Sequence, residues 1–127
     1  MTTTFRNAPD LMHSPAAMDL DVWSHHSWTD GLQVEGLQAL DSLVVRTLNS
    51  TYEITVLAPR LGDVLVRGGR FFPEFAPARL AGASLGGSFL KERGIYLGFC
   101  MELHDGTTNI VTTSVQSIAR VQPSGVQ

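Results

Sequence analysis

At 127 residues, 43% of them apolar, the chain has the material for one modest hydrophobic core and not for two. The formal charge of −3 is unevenly spread: residues 1–42 carry one base, Arg6, against six acids (−5), whereas residues 43–127 carry eight bases against six acids (+2). A remainder so near neutral lacks the concentrated basic face that sequence-independent nucleic-acid binding needs, so nucleic acid is not an expected partner.

No apolar run approaches the roughly 18 residues that span a bilayer. The first residues, MTTTFRNAPDLMHSPAAMDLD, also lack the basic start and apolar stretch of a secretory signal. The single cysteine, Cys100, cannot form an internal disulfide, which agrees with a reducing compartment. A cytoplasmic location without a membrane partner is the expectation.

Residues 1–30 mix polar residues, prolines and scattered apolar residues with no sustained period, and are read as an acidic, mobile N-terminal arm. Trp23 and Trp28 are unusual in a purely solvating tail, so part of the arm is expected to lie against the domain or against a partner. Residues 31–42 form a lead-in, where Leu32, Leu37 and Leu40 permit a short helical turn that Gly36 weakens by about 1 kcal/mol.

Strands follow. Leu43–Leu48 is rich in Leu and Val, and Tyr52–Leu57 alternates Tyr52, Ile54 and Val56 with Glu53 and Thr55. Asn49 and Ser50 supply the turn between them, making a hairpin. Without a signal sequence, the glycosylation-like Asn49-Ser50-Thr51 is read as turn chemistry. Pro59–Asp63 turns the chain into a third strand, Val64–Arg67, which Gly68 and Gly69 interrupt. Pro73 and Pro77 argue against a central strand or continuous helix across the next segment. Ile95–His104 reads as the clearest strand, with Ile95, Leu97, Phe99, Met101 and Leu103 on a core-facing side. Asp105-Gly106 signals a hairpin into Ile110–Ser114. The three-residue spacing of Val115, Ile118 and Val121 predicts a 3₁₀ turn before the last short strand.

These elements predict an all-β domain over residues 43–121, a small and partly open SH3-like barrel or sandwich of five or six short antiparallel strands, followed by a tail at 122–127. The order of elements resembles SH3-like barrels in architecture alone. The run of Thr47, Asn49, Ser50 and Tyr52, with Gly68, Gly69, Gly86, Gly87, Ser88, Gly98, Met101, Glu102, Thr113 and Ser114, also resembles short bacterial proteins to which no activity attaches. An open sheet leaves edges to cover, so self-association is a further expectation.

The stretch from Arg67 to Ser88 is read as a loop and is the expected recognition surface. There Arg67, Arg70 and Arg79 flank Phe71, Phe72 and Phe75, a combination that stacks bases or grips acidic peptides and equally caps a small core. One of the adjacent Phe71 and Phe72 must face away from the core. Ser84–Ser88, SLGGS, has the glycines of a phosphate-cradling loop, but Phe89 and Leu90 stand where a Walker loop needs Lys and a hydroxyl. His13, His25, His26 and His104 show no metal-ligand spacing, and no metal or cofactor is expected. The leading expectation is a non-enzymatic module that binds a protein or peptide. The alternatives are a small hydrolase or metal-dependent enzyme using Ser88, Glu102 and His104, and a single-strand nucleic-acid binder.

Overall fold

Alternation of apolar and polar side chains extends the chain wherever it occurs, and the computed structural model, which describes residues 28–86 and 89–121, is built almost wholly of strands. In chain order these are β1 (Gly31–Gln33), a 3₁₀ turn (Val34–Gly36), β2 (Ser42–Thr47), β3 (Thr51–Ala58), β4 (Asp63–Gly68), β5 (Phe72–Ser84), β6 (Lys91–Glu92), β7 (Gly94–Tyr96), β8 (Cys100–His104) and β9 (Asn109–Val121). Six of them pair antiparallel in a ring, β4–β3–β2–β9–β8–β5, closed by the pairing of β5 with β4. The result is the small all-β barrel expected from the strand pattern.

Closure depends on two long strands that each serve two neighbours. β5 pairs with β4 up to Arg79 and with β8 from Arg79 onward, while β9 pairs with β8 up to Ser114 and with β2 from Val115 onward. A strand that passes from one sheet to another needs a bend, and each has a register shift where it turns: between Leu80 and Gly82 in β5, and opposite Arg46/Thr47 in β9. Gly82 has φ +149°, and a Cβ there would run into the Lys91 carbonyl, so the bend also lets β6 lie flush against β5.

The barrel is filled by inward side chains. Leu43, Val45, Ile54, Val56, Val64, Val66, Leu80, Met101 and Leu103 are each at most 1% exposed. Each such burial contributes about 1.5–3 kcal/mol. Val34 of the 3₁₀ turn and Ile95 of β7 join the same core, and the Val34 amide is anchored on the Arg93 carbonyl at 2.8 Å. A second, smaller cluster of Ala83, Leu85, Tyr96 and Phe99 lies under the excursion between β5 and β8, with Trp28 and Phe89 packed on it. Trp28 meets Tyr96 edge-on at 4.9 Å, so one of the two tryptophans does lie against the domain; Trp23 falls outside the described residues.

Three expectations are corrected. The 67–88 stretch is not a loop: Phe72–Ser84 form strand β5, with Pro73 and Pro77 inside it. The strand carries them because residues 72–78 pair on one flank only, with β4, and a missing N–H on the open flank costs no ladder bond. Ile95–His104 is two strands: the chain turns at Leu97-Gly98, with Gly98 at φ +87°, and the side holding Tyr96, Cys100 and Glu102 is buried as well. The 3₁₀ turn does not precede a last strand. It lies at Val34–Gly36, and β9 runs unbroken to Val121. The spacing of Val115 and Ile118 records the irregularity beside Gln116, which shifts the inward phase by one residue.

Candidate functional site

The turn from β4 to β5 is held down on the barrel by its two glycines. Gly68, at φ +138°, lies where a Cβ would strike the Thr51 carbonyl. Gly69, at φ +64°, crosses over the end of the Tyr52 side chain, whose hydroxyl would lie 2.6 Å from a Cβ. The chain leaves this anchored turn through Arg70 and Phe71, both at the surface, with Phe71 56% exposed.

The six residues expected to form one surface divide into three places. Phe72 is 2% exposed and belongs to the core, which takes it off any ligand surface. Phe71, its neighbour, is the one that faces out. Phe75 is 44% exposed on the outer face, and the Arg67 guanidinium stacks over its ring at 4.5 Å from the centroid. Arg67 also donates through Nε to Glu53 Oε1 at 2.7 Å. Arg70 lines a polar cleft shared with the β2–β3 turn. Arg79 lies seven residues along β5 from Phe72, roughly 23 Å at about 3.3 Å per residue, and is paired with Asp63 at 2.9 Å. Arg67, Arg70, Phe71 and Phe75 therefore share one end of the β4–β5 hairpin, and Arg79 stands apart, beside a groove that includes Leu57 and His104.

The catalytic alternative finds no assembled set among the described residues. Glu102 is 9% exposed, and its carboxylate accepts a short hydrogen bond from Ser84 Oγ and a longer one from Asn109 Nδ2 at 3.4 Å. His104 is exposed and uses Nδ1 to accept from the Gly106 amide at 3.1 Å. Ser88 and the Gly87 of the SLGGS loop lie outside the described residues, as do His13, His25 and His26. No group of three or more His, Cys, Asp or Glu among the described residues is placed to hold a metal ion.

The buried Ser84–Glu102 pair was not expected from the sequence. Its signal was the small and apolar character of Gly98 and Cys100 on the strand face read as outward. Burial pushes the Cys100 thiol up from its ordinary value, and the Glu102 charge adds to the effect. Tyr96 is raised by burial and then by Glu35, while its hydroxyl donates to Gln33 Oε1 at 2.8 Å. Asp105 is held low by the amides of Thr107 and Thr108 and by the Thr107 hydroxyl, with His104 adding a smaller effect, so it fastens the β8–β9 turn.

Compared with protein-family models, curated proteins and solved structures, the chain matches none. No helix among the described residues is long and apolar enough to cross a membrane.

Proposed function

We propose that this protein is a non-enzymatic binding or regulatory module of the cytoplasm that recognises a protein or peptide partner through the 67–88 segment, chiefly its β4–β5 end. The observation that carries the reading is the pairing of Phe71 and Phe75, 56% and 44% exposed, with Arg67 and Arg70 on a hairpin anchored to a closed barrel. Scattered exposed apolar residues are ordinary, but aromatic residues and arginines gathered on a rigid support are the composition of binding hot spots. The two strands that pass between sheets support the finer reading of an SH3-like module.

Prolines 73 and 77 on the open flank of β5 remove the donors an added strand would need, which favours recognition by side chains over strand addition. Protein is favoured over nucleic acid because Arg67, Arg79, Arg93 and Arg120 are already engaged by carboxylates. The test is quantitative crosslinking in host cells with the wild type and a Phe71→Ser/Phe75→Ser variant of unchanged melting temperature. A partner enriched by the wild type and lost by the variant is expected. Identical crosslinked sets for the two proteins would remove the proposal.

A further inference from the structure

We propose that the cleft between the β2–β3 turn, the β4–β5 turn and the first half of β9 binds a single carboxylate, with Arg70 as its anchor. The inference rests on the binding-module reading and specifies its chemistry: the ligand presents a carboxylate, a chain terminus or an acidic side chain, next to an apolar group.

The cleft has a volume of about 450 Å³, and no acidic residue lines it. Arg70 makes no ion pair among the described residues, unlike Arg67, Arg79, Arg93 and Arg120. Beneath it lies Tyr52, 5% exposed as a residue, whose hydroxyl sits under Gly69 and, with no hydrogen-bond partner among the described residues, reaches the solvent of the cleft. Thr113 Oγ1 accepts from the Asn49 amide at 3.2 Å, which leaves its own hydrogen to donate. Thr112 is different. Its hydroxyl accepts from the Met101 amide at 2.9 Å and donates to the Thr113 carbonyl at 2.7 Å, so it is wall and not donor.

The donor set therefore comprises one guanidinium, the Tyr52 and Thr113 hydroxyls, and the Ser50 hydroxyl and the Asn49 side-chain amide at the rim. One fixed positive charge with neutral donors matches a carboxylate, which takes the guanidinium fork bidentately; a phosphate near neutral pH carries more charge than a single arginine offsets. Val111, 41% exposed, gives the cleft an apolar wall for the group that bears the carboxylate.

The probe is N-acetyl-valine titrated into the full-length isotope-labelled protein, followed by amide and Arg Nε chemical shifts, with N-acetyl-valine amide and inorganic phosphate as comparisons. Saturable shifts at Ser50, Arg70 and Thr113 are expected for the carboxylate. The amide and phosphate should bind at least about tenfold more weakly, and Arg70→Gln should weaken the carboxylate about tenfold, the loss expected of a charge-assisted pair. Tyr52→Phe keeps the ring and should weaken binding several-fold. Absent saturation, equal shifts from the amide, tighter binding of phosphate, or an unaltered affinity in Arg70→Gln would each overturn the assignment. A Phe71→Ser/Phe75→Ser protein should titrate normally. A failed partner search thus leaves the cleft standing, and a failed titration leaves the Phe71–Phe75 patch standing.

Discussion

Adjacent phenylalanines at 71 and 72 carry opposite roles because the strand sends successive side chains to opposite faces. Phe72 fills the barrel beside the Tyr52 end of the core, and Phe71 meets solvent. Truncating the two should separate them sharply. Phe72→Ala is expected to cost about 3–5 kcal/mol, the range for a buried aromatic whose cavity cannot collapse. Phe71→Ala should stay within about 0.5 kcal/mol of the wild type. Urea unfolding of both variants measures this, and comparable losses would mean that Phe71 is not the solvent-facing member. The Arg67–Glu53 and Arg79–Asp63 pairs add little to such a ledger. Their side chains are a third to more than half exposed, and such pairs contribute about 0–1 kcal/mol.

Among the elements, β5 shows most clearly what the order of residues does and does not reveal. β2, β3 and β4 could be read directly because each has one face in the core, so that apolar and polar residues alternate. β5 could not, because its prolines are tolerated only through a pairing partner missing on one flank, a fact of topology that no local pattern carries. The division of Ile95–His104 at Gly98 was hidden for a related reason. Both faces are covered there, so alternation holds through a turn that reorients the chain. The candidate site divides in the same way. Arg67, Arg70, Phe71 and Phe75 were legible as composition on one hairpin, whereas the cleft around Arg70 is completed by Asn49, Ser50 and Thr113, which only the register of β9 against β2 and β8 brings near. The open flank of β5 supports a prediction. Replacing Pro73 and Pro77 with Thr restores two N–H donors to it, and concentration-dependent self-association by sedimentation velocity is expected to rise above that of the wild type. An unchanged monomer–oligomer distribution would show that the prolines do not guard this edge.

For the molecule as a whole, the barrel and the excursion that covers one side of it differ in what holds them. The barrel interior is mainly apolar, with Tyr52, Thr47 and Thr112 its buried polar members on β3, β2 and β9. The excursion between β5 and β8 rests on Tyr96 and Phe99 and adjoins the buried face carrying Cys100, Ser84 and Glu102. Cys100 and Tyr96 are acids that burial keeps protonated beyond their ordinary values of 9.0 and 10.0. Between its unfolded and folded pKa each group binds more protons in the folded protein. Their contribution to stability is therefore fully present below about pH 9 and is lost as pH rises through the folded values. Asp105 works in the opposite sense. Its lowered pKa gives a contribution present above its ordinary 3.8 and lost as pH falls through the folded value, and its full exposure keeps that acid-side effect small. The melting temperature is thus expected to hold from neutral pH to about 9 and to fall beyond it. Cys100→Ala should delay the onset toward the Tyr96 range. Because the thiol is buried, native Cys100 should also react with iodoacetamide far more slowly than the unfolded chain at the same pH, with reactivity climbing over the interval in which stability drops. A melting temperature that ignores alkalinity, or a native thiol as reactive as the unfolded one, would mean that the excursion does not seal the face it covers.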